Sequence, residues 1–357
     1  MLIAAPATDP VELDSAIPSK TKIVVIGGGI IGVSTAYFLA ARGIPVVVCE
    51  KGRLAGEQSS RNWGWVRKQG RDPRELPLII KSFELWHGFG KVLDADTGFR
   101  ICGILYLART EAELAHHAAW VEHAKTHGLD TRIIAGPELE RLAPGAAERF
   151  LGALYTESDG RAEPQKAVPA IAAAARRLGA VIVPDCAVRG VETSAGRVSL
   201  AVTERGAIAC ESVVLAGGAW SRLFCGNNGI DLPQLKVRGS VLRTAPLEGG
   251  PAASGFYGRF AYRRRLDGGY NIANGVTTVA EIVPDSFRLF GTYLPALRHE
   301  WRSLSFNLGR RFFAELTTPR RWALDQPTVF ETCRALDPPP VTALNRRAMR
   351  ELAKSFP

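Results

Sequence analysis

Residues 22–50 read KIVVIGGGIIGVSTAYFLAARGIPVVVCE, and this stretch decides the fold. Thr21 to Ile26 is a short β-branched run that ends in glycines, Ile30 to Arg42 has helical composition, and Pro45 to Cys49 is a second apolar run. A strand, a glycine turn, a helix and a strand within about 30 residues form the βαβ unit of a parallel sheet covered by helices. Gly27, Gly29 and Gly32 make a GxGxxG pattern at the strand-to-helix turn. The first glycine permits the tight turn, the second lets a pyrophosphate approach the backbone, and the third lets the helix pack on the strand. The helix start adds unpaired N–H groups and the positive end of its dipole. Glu50 closes the second strand 21 residues after Gly29, the register from which a carboxylate accepts hydrogen bonds from an adenosine ribose. Strand, glycines, helix and acid agree on a dinucleotide site, although FAD and NAD both use such glycines.

Outward from this unit, residues 52–71 (GRLAGEQSSRNWGWVRKQGR) lack apolar periodicity and form a long loop of the kind kept for function. A helix begins near Pro73, followed by a strand over 101–108 and a helix over 111–127. Further α/β alternation covers 164–216 and ends at Gly217 and Gly218. From Lys236 to Gly275 the pattern turns to hairpins, with runs at 237–244, 260–266 and 270–274 joined by Gly and Asp-Gly-Gly turns. The expected fold is therefore α/β: a Rossmann-type nucleotide domain interleaved with a mostly antiparallel α+β substrate domain. The expected division gives the first 21–85, 148–235 and 341–357, and the second 86–147 and 236–340, after a loose tail at 1–20.

The 357 residues suit about two domains. Apolar residues are 46% and charged residues 22%, the balance of an ordinary globular protein. Glycines, arginine and proline interrupt even the most apolar stretch, so no membrane span is expected. Of 45 basic residues 35 are Arg, against 35 acidic ones, leaving +10. That excess favours an anionic partner, but no nucleic-acid-reading module accompanies it, and nucleic acid is not expected as a partner. Six scattered cysteines lack metal or disulfide spacing, and together with the absence of a secretory pattern they point to a cytoplasmic protein without a metal site.

GGGIIG, CEKGR, SSRNWG and VVLAGGAWS resemble the D-amino-acid oxidase and glycine/sarcosine oxidase family of FAD enzymes, and residues 57–72 (EQSSRNWGWVRKQGRD) are most similar to bacterial D-amino-acid dehydrogenase-like members. The resemblance runs from about Thr21 to the chain end and implies FAD as cofactor. It assigns the loop Ser59, Ser60, Arg61, Asn62, Trp63 and Gly64 to the flavin, Ala216, Gly217, Gly218 and Trp220 to the neighbouring crossover, and Val188 to the adenine. Gly28, Ile31 and Lys51 complete the cofactor set. The implied reaction oxidises an amino acid or secondary amine to the imine by hydride transfer to flavin N5. The electron acceptor is a quinone or oxygen; an oxygen-using glycine/sarcosine-type oxidase and an inactive flavin-binding protein are the alternatives.

A flavin carries the hard step of such a reaction, so the protein mainly positions the substrate, and the fork of an arginine suits a carboxylate. Trp65 and Arg67 in the flavin-side loop are candidates. Tyr262 and Arg264 are the others, sharing one face of a strand while Arg263 and Arg265 share the opposite face. For at least two of these three arginines the expectation is an exposed ladder on a solvated edge strand. Residues 287–322 hold seven Arg against two Glu, with Leu297, Trp301, Leu304, Leu308 and Phe312 at helical steps. Such a basic amphipathic helix either packs on its own domain or lies peripherally on the inner face of a membrane. Relatives continue beyond a helix like that at 341–356, and by resemblance that continuation supplies a carboxylate-gripping arginine. The chain alone is accordingly expected to bind FAD weakly and turn over poorly.

Overall fold

The computed structural model describes residues 6–146 and 150–357, which divide into two compact units. Unit 1 holds residues 1–61, 165–238 and 278–338; unit 2 holds 62–164, 239–277 and 339–357. Each unit is assembled from separated stretches of the sequence, with bounds other than those of the expected division. Residues 62–85 and 148–164 lie in unit 2, residues 278–338 in unit 1, and the last helix, Thr342–Ser355, in unit 2.

Unit 1 is built on a parallel sheet ordered Ser212–Leu215, Ile23–Ile26, Val46–Cys49, Val181–Val183. The first βαβ unit sets its register, with Ile26 opposite both Cys49 and Leu215. Val24, Val47 and Val183 are fully buried, as expected for strands covered on both faces. An antiparallel meander, Val188–Ser194, Arg197–Thr203 and Gly206–Ala209, continues the unit. The expected loose tail is corrected over its described part. Asp14 accepts from the Ile182 N–H at 2.8 Å and from Arg176, Asp9 pairs with Lys166 at 2.8 Å, and Lys20 bridges to Ala209. Polar side chains pin this segment although it has no apolar pattern to announce it.

Residues 284–317 do not form one amphipathic helix. They comprise helices Pro284–Arg288 and Phe290–Glu300, a turn, the edge strand Leu304–Asn307 and helix Arg310–Thr317. The helix carrying Pro295 runs on to Glu300, the turn Trp301–Ser303 ends it, and Gly309 caps the next helix, so apolar spacing that looks like one face is spread over two helices, a turn and a strand.

Unit 2 carries a seven-stranded sheet ordered Val241–Arg243, Tyr270–Ala273, Phe260–Arg264, Ser254–Tyr257, Ile104–Ala108, Gly152–Thr156, Thr131–Ile134. Neighbours are antiparallel except where Ser254–Tyr257 meets Ile104–Ala108. A three-stranded sheet of Trp65–Val66, Gly160–Arg161 and Arg100–Ile101 accompanies it. The last helix lies on the large sheet, where Ala348 joins Phe260, Tyr262, Tyr270 and Ile272 in one core cluster. Among the described residues no helix is long and apolar enough to cross a membrane.

Candidate functional site

In unit 1 the glycine turn is built as the motif requires. Gly27 has φ +110°, and a Cβ there would lie 2.5 Å from the Ala216 carbonyl oxygen, so glycine is needed both for conformation and for the neighbouring crossover. A Cβ on Gly32 would meet the Gly27 carbonyl oxygen at 1.9 Å, which fixes the close packing of helix Ile30–Ala40 on its strand. Gly29 is that helix's N-cap and offers no side-chain cap, while Ile30 N–H donates to Ser59 Oγ at 2.9 Å. Ile31 in the first turn is 66% exposed. An uncapped helix start beside small residues is a cradle for a pyrophosphate.

Glu50 accepts from the Gly28 N–H at 2.6 Å and from the Gly52 N–H at 2.8 Å, one on each oxygen. Each oxygen keeps lone-pair capacity for a ribose hydroxyl. Burial pushes its carboxyl above the ordinary value, against the pull of the two N–H groups. The donor set, the glycine backbone and the buried carboxylate together fit the adenosine diphosphate half of FAD. Val188 opens the meander strand, buried in the same core as Cys49. Gly218 adopts φ +52° and sits by Gln58.

Three residues expected at the cofactor have side chains engaged with protein. Lys51 Nζ donates to Glu57 Oε1 at 2.9 Å and to the Cys333 carbonyl at 2.6 Å. Arg61 donates to the carbonyls of Gly56 and Leu336 at 2.6 and 2.8 Å. Trp220 Nε1 donates to Glu57 Oε1 at 2.9 Å. Glu57 is the hub, for it also receives the Leu336 N–H at 2.9 Å, and its carbonyl takes Ser60 Oγ at 3.2 Å. Sequence reading quotes this glutamate without seeing its role. Its partners lie up to 279 residues away, so no local signal exposes it.

Unit 2 holds the rest of the loop, from Asn62 onward. Asn62 Oδ1 accepts from the Gly64 N–H at 2.7 Å, and Gly64 has φ +82° with the Ala162 oxygen 2.5 Å from where a Cβ would stand. Trp63 and Trp65 meet edge to face at 5.4 Å. They border a small cavity on the large sheet that is lined also by Val241, Ala261, Tyr262, Arg263, Asn271, Ile272 and Ala273. Trp65 Nε1, Asn271 Oδ1 and Arg263 Nε are buried without a partner among the described residues. Arg67 donates to the Gln69 carbonyl and lies 6.0 Å from the Tyr106 ring centroid. Buried Asp159 pins this loop by accepting the Lys68 and Gln69 N–H groups at 2.9 and 3.0 Å.

The expected face of strand Phe260–Arg264 is corrected. Tyr262 points into the core beneath the last helix, 2% exposed, with its hydroxyl unpartnered and its phenol pushed far up by burial. Arg264 shares that face by alternation. Ala261 and Arg263 line the small cavity beside Trp63 and Trp65, and Tyr262 borders it as well. The expected solvated arginine ladder is also absent: Arg263 and Arg265 are 1% and 5% exposed, because the strand is central in its sheet. Arg263 makes a bidentate pair with Glu163 at 2.8 and 3.0 Å. Among the described residues no group of three His, Cys, Asp or Glu side chains could hold a metal ion.

The model of the family described as DAO, FAD dependent oxidoreductase, matches residues 22–321. The beta subunit of an Arthrobacter sp sarcosine oxidase is 32% identical over 225 residues, which is 60% of this chain and 56% of that one. D-amino acid dehydrogenase 2 of Mesorhizobium japonicum is 27% identical over 69% of this chain and 75% of its own length. The structure of an L-amino acid deaminase from Proteus myxofaciens in complex with anthranilate superposes with a TM-score of 0.94 at 34% identity, covering 99% of this chain and 80% of that one. The chain spans about half or less of the length of several curated relatives it matches.

Proposed function

The chain belongs to the DAO family of FAD-dependent oxidoreductases, and from that premise we propose that it oxidises an α-amino acid to its imine. The single observation that carries the amino-acid reading is the likeness to an L-amino acid deaminase over 99% of the chain. When bound, FAD supplies the two-electron acceptor, taking hydride from the substrate carbon at flavin N5. The chain's own residues bind and orient. The turn from Gly27 to Gly32 brings the start of helix Ile30–Ala40 up to the pyrophosphate, Ser59 steadies that helix start, and Glu50 accepts the ribose hydroxyls. Trp63 and Trp65 exclude water from the Arg263 and Asn271 face of the large sheet, where strong directional contacts are worth most.

A D-amino-acid dehydrogenase activity is the second reading, favoured by the Mesorhizobium relative, of which the chain covers 75%. Turnover of a panel of L- and D-amino acids, glycine and sarcosine, read as 2-oxo acid with ammonia or methylamine and as formaldehyde with glycine, separates the readings. Oxo-acid formation from L-amino acids alone is the expected result; turnover of sarcosine alone, to formaldehyde and glycine, would overturn it.

Contact with an anionic lipid surface belongs to the same proposal. Phe287, Trp301, Phe306, Leu308, Phe313 and Leu316 are each more than half exposed within the segment that carries a local charge of +5. Apolar side chains among arginines are the composition of a peripheral membrane surface. Such contact would bring the enzyme to a membrane-dissolved quinone as electron acceptor.

A further inference from the structure

Arg161 presents a charge problem that the described residues leave unsolved. It sits on the short strand Gly160–Arg161, opposite Trp65 on one side and Arg100 on the other, and Ala162 N–H next to it donates to the Gly64 carbonyl at 2.8 Å. Its Nε and Nη1 are buried and have no hydrogen-bond partner. Glu163, the carboxylate whose field reaches it, and the acids paired with the neighbouring arginines are committed elsewhere. Glu163 Oε1 takes Arg263 Nη1 at 2.8 Å and the Leu266 N–H at 2.9 Å, and Oε2 takes Arg263 Nη2 at 3.0 Å. Asp267 pairs with Arg265 at 2.7 Å and lies 3.5 Å from Arg243; Asp96 pairs with Arg100 at 3.0 Å. Arg264 likewise has no acidic partner among the described residues. Burial first, then the fields of Arg263 and Arg264, pull the Arg161 pKa down, yet a guanidinium does not lose its proton in a protein. A half-buried cation without an anion is unfavourable. Two vacant donor nitrogens in a surplus of positive charge are the complement of an oxyanion.

We propose that Arg161 binds a carboxylate from outside the chain, that Arg264 adds to the field holding it, and that the carboxylate is the substrate's own. The anion site stands on the unpaired guanidinium alone. Its assignment to substrate rests on the amino-acid oxidation proposed above. A free carboxylate such as acetate has the same chemistry and serves as the probe.

The test compares the FAD-loaded wild-type chain with Arg161→Met and Arg161→Lys. Acetate is titrated at ionic strength held constant with the sodium salt of a bulky sulfonate. Acetate is expected to raise the wild-type melting temperature by about 2–4 °C, to leave Arg161→Met unmoved, and to act on Arg161→Lys at higher concentration. Without acetate, Arg161→Met is expected to melt above wild type, since it removes the unpaired charge. Acetate should also compete with the amino acid, and Arg161→Met should raise KM at least about tenfold with a smaller change in kcat. Equal acetate responses in wild type and Arg161→Met overturn the anion site; should the Met variant fail to fold, an Arg161→Lys response identical to wild type does the same. Stabilisation by acetate without competition overturns the substrate assignment. A chain that turns over no amino acid but keeps the Arg161-dependent acetate response refutes the proposed activity and leaves the site intact.

Discussion

Glu50 shows how one residue couples the local fold to the cofactor. Two backbone N–H groups hold its carboxylate at the glycine turn, and burial raises its pKa above the ordinary glutamate value. A ribose hydroxyl donates to the ionised form, so FAD affinity is present above the folded-state pKa and is lost as pH falls through it. Release of FAD, followed by the rise of free-flavin fluorescence in acid titration, is expected to begin at a higher pH than an ordinary glutamate allows, and Glu50→Gln should abolish that step. Gly29→Val puts a branched side chain on the pyrophosphate path and against Ser59 Oγ, 3.0 Å from the added Cβ. Flavin content measured by absorbance should fall to near zero, with secondary structure by circular dichroism unchanged. The turn that holds these two residues is legible because it is local: spacing along one βαβ unit specifies both positions. Tyr262 is not, since the two-residue period of a strand defines two faces without saying which is buried. Its hydroxyl, unpartnered in the core, offers an easy check: Tyr262→Phe should keep kcat and KM within about twofold and be neutral or slightly stabilising, because it deletes an unsatisfied buried group.

At the level of elements, the strap at 333–338 governs the loop that carries Ser59 and Ser60. Lys51, Glu57 and Arg61 all bond to its backbone, and a Cβ on Gly52 would lie 2.3 Å from the Arg334 carbonyl oxygen. Glu57→Ala removes the acceptor of three donors, and stopped-flow release of FAD is expected to accelerate about tenfold, the equivalent of ~1.4 kcal/mol. In unit 2 the buried Glu163–Arg263 pair sets the seat of the Trp63–Gly64 turn. Glu163→Ala strands a buried guanidinium and should cost about 3–5 kcal/mol in denaturant unfolding. Helix Glu111–Thr126, which opens on the Thr110 capping box, is readable from its helix-forming composition although its apolar residues keep no strong period. The segment 284–317 is not, because helical apolar spacing recurs by chance across a helix, a turn and a strand. Its exposed apolar side chains bear on lipid: pelleting with anionic vesicles is expected at low salt and should weaken as salt rises.

For the whole molecule, the sequence order of α/β and hairpin segments shows that two architectures interleave, but not which unit claims each segment. The helix Thr342–Ser355 resembles a covering helix of a parallel sheet and instead buries Ala348 on the antiparallel one. That choice is made by tertiary packing, since an amphipathic helix carries no label for the sheet it will cover. Family membership and the likeness to an amino acid deaminase support the proposal that this chain takes two electrons from the α-carbon of an amino acid into bound FAD. Anaerobic addition of L-amino acids to the FAD-loaded chain, followed at the oxidised-flavin absorbance band, tests that claim most directly. Bleaching of the band with saturable dependence on the amino acid, lost in Gly29→Val, is the expected result. A fully FAD-loaded chain whose band is unchanged by L- and D-amino acids, glycine and sarcosine alike would contradict it.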